Sequence, residues 1–188
     1  MTVLILVKHS AVTIDTARAA SAWRLSDEGR RRCDALAERL AAYQPQRVVA
    51  SQEPKAAETG RLVAERLALP FTTAPDLHEH DRRGVPFLGA DEFQAAVARF
   101  FAESDGLVLG RETAAAALAR FDAAVRRVLA QFPGEALVVV AHGTVISLFV
   151  ARHAGVEAFD LWRRLDLPSF VVLDWPTATV LEVVASVV

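Results

Sequence analysis

Val3-Leu4-Ile5-Leu6-Val7-Lys8-His9-Ser10 is the stretch that decides the fold. Five aliphatic residues run without a break and stop at a cation and a histidine. A short apolar run of this kind reads as a strand covered on both faces. Lys8 and His9 then stand where the chain leaves the sheet, and in open α/β sheets ligands bind beyond the carboxyl ends of the strands. The pattern returns far downstream. Ala136-Leu137-Val138-Val139-Val140-Ala141 is a second such run, with His142-Gly143-Thr144 directly behind it. Two buried strands thus each deliver a histidine to what reads as one rim, and the rest of the chain supports that pair.

Outward from the first strand, a loop reaches to Arg24, and Ser26 is placed to cap a helix. Asp27 and Glu28 suit the positive end of that helix, and Cys33, Leu36, Ala37 and Leu40 form its apolar stripe. Arg47 to Ser51 is a short strand. Pro54 opens a second helix at a position where proline is favoured, with Ala56, Thr59, Val63 and Leu67 inward and Lys55 in its first turn. Residues 71–90 read as turn-rich and contain His78-Glu79-His80-Asp81-Arg82-Arg83, the densest polar cluster of the chain. A short helix carries Phe93, Val97 and Phe100, and a long one is expected from about Glu112 to Phe132, stopped by Pro133-Gly134. Helices near 144–153 and 158–165 follow. Strands at 170–174 and 179–184 close the chain as a hairpin around Trp175-Pro176-Thr177. The alternation predicts an α/β fold, a three-layer α/β/α sandwich with a mostly parallel central sheet and antiparallel last strands. Residues 1–188 are expected to form a single domain, with a small cap insertion at 75–110 over the rim of the sheet.

Composition narrows the function. The chain has 188 residues, of which 53% are hydrophobic, enough for one well-buried core. A formal net charge of −2 offers no electrostatic case for a nucleic-acid partner. A single cysteine, Cys33, excludes an intrachain disulfide and fits a reducing compartment. The early apolar run ends too soon for a secretory signal, and no stretch reaches the roughly 20 apolar residues of a membrane helix. The expectation is a cytoplasmic protein with no membrane partner.

Three strand ends carry Lys8 and His9, Lys55, and His142, with Glu79 in a nearby loop. Two ammonium groups and two imidazoles suit a phosphoryl group, whose charge is spread over its oxygens and is stabilised by positioned cations during transfer. The helix that begins near Pro54 adds its N–H groups and positive dipole. A neutral imidazole can attack phosphorus, and a carboxylic acid can protonate the departing alkoxide. The competing reading of Lys8 and Lys55 is a pair of solvated surface charges, and Asp81 stands beside Glu79 as the other candidate acid. His78 and His80 read as loop residues or supporting polar groups, and His153 as a structural residue at a helix end. Arg82-Arg83 and Arg163-Arg164 read as solvated, the first pair with a possible part in reading an anionic substrate.

At this point the chain resembles the histidine phosphatase superfamily, in its phosphoglycerate mutase-like branch, over nearly its whole length. Lys8-His9-Ser10 stands for the family's Arg-His-Gly, and Ala50-Ser51-Gln52-Glu53-Pro54-Lys55-Ala56-Ala57-Glu58-Thr59-Gly60 for its second signature. Leu77-His78-Glu79 with Gly84, Arg111-Glu112-Thr113, Ala141-His142-Gly143 and Leu167-Pro168-Ser169 match the later motifs in order. The resemblance implies that His9 is the nucleophile that takes the phosphoryl group. It implies that Lys8, Lys55 and His142 hold the phosphoryl oxygens, and that Glu79 is the proton carrier. No metal or other cofactor is implied. The expected activity is a metal-independent phosphatase acting on a small phosphorylated molecule through phosphohistidine.

Three departures bear on that activity. Both family arginines are lysines, which keep the charge but lose the planar fork that grips two oxygens at once. Ser10 replaces a glycine. Asp15 stands where an asparagine is frequent and is expected to point away from an anion. Alternatives are a non-catalytic or very slow phospho-ligand binding module of the same fold, and a phosphoglycerate mutase-type phosphotransferase, which the short chain disfavours. A metallohydrolase built on His78-Glu79-His80-Asp81 fails in register, because Arg82 and Arg83 occupy the remaining ligand positions. Substrate specificity is expected in the cap, with Phe87, Phe93 and Arg82-Arg83 as candidates to line it.

Overall fold

β1 (Thr2–Lys8) pairs on one side with β4 (Leu137–Ala141), parallel, and on the other with β5 (Ser169–Trp175), antiparallel. These contacts are seen in a computed structural model, which describes residues 2–187. The remaining strands are β2 (Arg47–Ser51), β3 (Phe71–Ala74) and β6 (Thr179–Val184), and the order across the six-stranded sheet is β3-β2-β4-β1-β5-β6. The four strands from β3 to β1 run parallel, and β5 and β6 form the antiparallel hairpin.

The aliphatic runs are explained by burial on both faces. In β1, Leu4 and Leu6 point into one core and Ile5 and Val7 into the other, and all four are fully buried. The Ile5/Val7 side is covered by α1 (Asp27–Ala41) and α2 (Pro54–Leu67). The Leu4/Leu6 side is covered chiefly by α4 (Ala114–Gln131) and α5 (Gly143–Ala154), with α6 (Ala158–Arg164) packed on α5. The structure is therefore the three-layer α/β/α sandwich that the sequence predicts. Among the described residues, no helix is long and apolar enough to cross a membrane.

Two local readings change. Residues 71–74 form an edge strand rather than the opening of a turn-rich segment. Phe71, Thr72 and Thr73 are exposed, so the strand exists through its backbone pairing with β2 and carries no burial pattern. The long helix begins two residues after the expected Glu112, because the Thr113 hydroxyl accepts the Ala116 N–H at 3.1 Å and sets the cap one residue before Ala114. The segment between β3 and α4 holds α3 (Ala90–Ala102), which packs on α6 through Phe93 and Trp162, whose ring centroids lie 6.0 Å apart.

Register sets the site. Lys8 pairs with Ala141 and Ala50 with Val140, so β1, β2 and β4 end at one level. His9, His142 and the start of α2 are thereby brought to the same rim.

Candidate active site

His9 leaves β1 with its backbone N–H on the Ala141 carbonyl at 3.1 Å, so the sheet fixes its position. Its Nδ1 lies 2.8 Å from the Ser10 carbonyl oxygen. A carbonyl only accepts, so Nδ1 carries the proton and Nε2 keeps a free lone pair. Nε2 has no hydrogen-bond partner among the described residues. Burial, with the nearby Lys55 and Lys8 charges, lowers the His9 pKa from 6.5 to about 3, so the ring is neutral at pH 7. The next residue is clamped from two helices. Ser10 N–H donates to Thr59 Oγ1 at 3.0 Å and Ser10 Oγ donates to the Gly29 carbonyl at 2.7 Å. Gly29 must lack a side chain, since a Cβ there would sit 1.9 Å from the Ala11 carbonyl oxygen. Ser10 thus replaces the family glycine without a left-handed backbone, and its hydroxyl ties the loop to α1.

His142 caps α5 and is fully buried. Its ring meets that of His9 edge-on, with centroids 5.3 Å apart. Nε2 lies 3.0 Å from Ser51 Oγ, which itself accepts the Glu53 N–H at 3.3 Å. Ser51 Oγ already accepts the Glu53 N–H, and where its own proton goes to Nε2 the ring proton falls on Nδ1, the tautomer that the chemistry proposed for this site uses. That Nδ1 is buried without a hydrogen-bond partner among the described residues. Burial first, and Lys55 second, hold the His142 pKa well below the ordinary imidazole range. The site therefore presents one neutral imidazole with a free lone pair and one with an unused N–H donor.

Both lysines are tied to backbone carbonyls. Lys8 Nζ donates to the Leu165 carbonyl at 2.6 Å, and burial lowers its pKa from 10.5 to about 8 against the pull of Glu79 and Asp166. Lys55 is 6% exposed; it donates to the Ala20 carbonyl at 2.7 Å and pairs with the Glu53 carboxylate.

Glu79 reaches the rim from the loop after β3. Its Oε2 accepts the Thr144 N–H at 3.2 Å and its Oε1 accepts the Val145 N–H at 3.3 Å, which places the carboxylate on the N-terminus of α5. Oε1 also accepts the His80 N–H at 3.0 Å, and Arg82 Nη2 donates to Oε2 at 3.2 Å. Burial pushes the carboxyl up, but the Arg82 charge and the His80 side chain outweigh it and hold its pKa well below the usual range. Asp81, the other candidate acid, is fastened to Arg83 at 2.5 Å and lowered to about 2, chiefly by that contact. It is tied to an exposed arginine, and Glu79 is the carboxylate beside the histidines.

The Glu79 loop is held from α4. Arg120 Nη1 donates to the Asp76 and His78 carbonyls at 2.8 and 2.9 Å, and its Nη2 donates to the Glu79 carbonyl at 3.3 Å. Glu112 accepts from Arg120 at 2.8 Å and from the Asp81 N–H at 3.0 Å. Gly110, at φ 92°, closes this clamp, since a Cβ there would lie 2.1 Å from the Asp81 carbonyl oxygen.

Sequence reasoning missed Glu53 and did not separate Arg82 from Arg83. Arg82 is partly buried, donates to Thr144 Oγ1 at 3.0 Å as well as to Glu79, and lies 4.9 Å over the Phe93 ring. Arg83 points outward, so the two adjacent arginines differ in role. Glu53, the N-cap residue of α2, joins the pocket through Lys55, two residues on, and that spacing was its only signal. His80 is buried and stacked on Phe100 at 4.2 Å, and Asp15 faces away, bonded to the Ala17 N–H and to Arg18. His153 pairs with Asp122 at 2.5 Å and Cys33 is buried in α1, both outside the pocket. Among the described residues, no three His, Cys, Asp or Glu side chains gather as a metal site.

Comparison with known proteins gives the arrangement a family context. Residues 4–184 match the family model of the histidine phosphatase superfamily (branch 1). Among curated proteins, none matches the sequence. Solved structures share the fold. Native mycobacterial glucosyl-3-phosphoglycerate phosphatase superposes with a TM-score of 0.73 at 20% identity, covering 97% of this chain and 96% of that one. The same mycobacterial enzyme in complex with VO3 gives 0.74 at 21% identity, covering 96% and 95%. Phosphoserine phosphatase from Entamoeba histolytica, in complex with 3-phosphoglyceric acid, gives 0.79 at 14% identity, covering 99% and 98%.

Proposed function

Because the chain belongs to the histidine phosphatase superfamily, we propose that it is a metal-independent phosphatase that hydrolyses a small phosphorylated molecule through a phosphohistidine on His9. The observation that carries this reading is the paired state of the two histidines. His9 Nδ1 is committed to the Ser10 carbonyl and leaves Nε2 as a nucleophile, while His142 offers an unused Nδ1–H beside it.

In this reading the phosphoryl group lies between the rings, its oxygens held by Lys8, Lys55 and His142 Nδ1. His9 Nε2 forms a bond to phosphorus as the ester P–O bond breaks, and the leaving alkoxide takes a proton from Glu79. Water then attacks the phosphohistidine, gives its proton to Glu79, and inorganic phosphate leaves with His9 restored. Glu79 is ionised in the unliganded site. The negative phosphoryl oxygens beside it raise its pKa, so substrate binding itself favours the protonated, acidic form. Arg82 steadies the carboxylate at that position and supplies the planar guanidinium that neither lysine has.

The net charge of −2 supports a partner other than nucleic acid, and the single buried cysteine supports a cytoplasmic setting. The test is hydrolysis of an aryl phosphate, with and without chelator, by wild type and His9→Ala. The expected result is turnover that survives chelator and is lost in His9→Ala. Turnover unchanged by His9→Ala would sink the mechanism. Saturable phosphate binding without turnover in wild type would favour the binding module instead.

A further inference from the structure

Glu53 is the second carboxylate of the pocket, and the chemistry above has no use for it. Its side chain is 11% exposed. Oε2 pairs with Lys55 Nζ and lies 3.8 Å from His142 Nδ1, and Oε1 accepts the Glu79 N–H at 3.1 Å. Three parts of the site therefore converge on one side chain. At 3.8 Å the contact with His142 is too long for a hydrogen bond, so the buried N–H is left unused with an anion nearby. Lys55 and His142 Nδ1 are also two of the three groups expected to hold a phosphoryl group.

We infer that Glu53 is a displaceable internal anion of the phosphate site and the residue that sets its affinity. Its Oε2 lies between Lys55 and His142, where a phosphoryl oxygen is received, so a phosphorylated ligand enters by separating Glu53 from Lys55. The exchange is feasible because a phosphoryl group carries up to two negative charges against one on the carboxylate, and Lys55 gains the stronger partner. It also has a cost, because the displaced carboxylate stays tethered by the α2 N-terminus, close to the incoming anion. The result is a site that holds phosphate weakly and releases it readily. The inference rests on the proposed phosphatase reading of the same pocket.

A purely structural role predicts the opposite sign. If Glu53 only orients Lys55, removing its charge weakens anion binding. Glu53→Gln separates the two, since the amide keeps the shape and its carbonyl can still accept the Glu79 N–H. The experiment is calorimetric binding of inorganic phosphate to wild type, Glu53→Gln, Glu53→Ala, Lys55→Met and the Glu53→Gln/Lys55→Met double variant. We expect both Glu53 variants to bind phosphate about tenfold tighter or more, Lys55→Met about tenfold weaker, and the double variant to show none of the gain. Glu53 variants that bind as wild type does or more weakly, while Lys55→Met weakens binding, overturn the inference and leave the site reading standing. Lys55→Met binding as tightly as wild type overturns the placement of phosphate itself, and the inference falls with it.

Discussion

Replacing Lys8 with arginine should remove an alkaline limit on activity. Burial brings the Lys8 pKa from 10.5 down to about 8. Such a lysine is about nine-tenths charged at pH 7 and about one-tenth charged at pH 9. If its charge holds phosphoryl oxygens, kcat/KM, which reports ionisations of the free enzyme, is level just below pH 8 and falls about tenfold per unit above it. Arginine does not titrate in this range, so Lys8→Arg should carry the plateau beyond pH 9.5. Lys8→Met should give a level profile, lowered by roughly a hundredfold or more. An ion pair at about 4 Å is worth up to about 4 kcal/mol at an effective dielectric constant near 20, which sets the upper bound. Other shifted groups do not confuse the window, because burial raises Cys33 to about 11 and Tyr43 to about 12. Stability supplies an internal control of opposite sign. Between pH 8 and 10.5 the unfolded chain still binds the proton that folded Lys8 has lost, so the Lys8 contribution rises with pH, by at most about 3 kcal/mol. The assay is a pH–rate series from pH 6.5 to 10 on a nitrophenyl phosphate, whose leaving group does not need the Glu79 proton, with urea unfolding at each pH. The same alkaline limb near pH 8 in wild type and Lys8→Arg would refute the reasoning, as would a wild-type profile level to pH 10.

Other outcomes follow from the same geometry. His9, His142 and Glu79 all have folded pKa values below their unfolded ones, so the stability they contribute is full above about pH 6.5 and is lost as pH falls toward 3. Urea midpoints should drop more steeply with acid in wild type than in His9→Ala/His142→Ala, and equal slopes would contradict this. Arg120→Met frees three carbonyls of the Glu79 loop and should lower kcat roughly ten- to hundredfold with little change in KM, Lys at 120 restoring part of it. An unchanged kcat would show that the loop keeps its place without the clamp. Glu79→Gln should cost about a hundredfold or more on an alkyl phosphate and far less on a nitrophenyl phosphate, whose leaving group needs no proton. Equal losses on both would remove Glu79 from the acid role. Phosphate binding should take up about one proton more in wild type than in Glu79→Gln at the same pH, read by calorimetry in buffers of different ionisation enthalpy; equal uptake would mean that Glu79 stays ionised.

How far the chain could be read in advance depends on what holds each residue. β1 and β4 were legible because both of their faces are buried, and the aliphatic runs record that directly. α1 was legible to its cap, since Ser26 Oγ accepts the Gly29 N–H at 3.0 Å as the residue type suggests. β3 was not, because it is an exposed edge whose stability comes from β2 rather than from its own side chains. The same division runs through the site. His9, His142, Lys8 and Lys55 follow strand ends, and the sheet register fixes where strand ends lie. Arg82 and Arg83 are adjacent in a loop, and nothing local says that one turns inward to Glu79 and Thr144 while the other pairs outward with Asp81. Their directions depend on the loop path, which Arg120 of α4 and Glu112, two residues before that helix, set.

Charge ties these separate features together. With both histidines neutral, the described pocket sets Lys8, Lys55 and Arg82 against Glu53 and Glu79, and one positive charge is left over. A phosphoryl dianion more than neutralises that surplus, so its entry favours whichever carboxylate can move or accept a proton. Glu53 is held by one lysine and one backbone N–H, so it is the carboxylate proposed to move aside. Glu79 cannot move, because three backbone N–H groups and Arg82 hold it, so it responds by binding a proton. In the proposed mechanism the phosphoryl group thereby creates the acid that its own transfer requires. An arginine at position 55 would add no charge to this balance, but its fork would grip the anion more firmly. On the proposed reading the lysine and the glutamate two residues before it act in one direction, toward a site that holds phosphate weakly and lets it go.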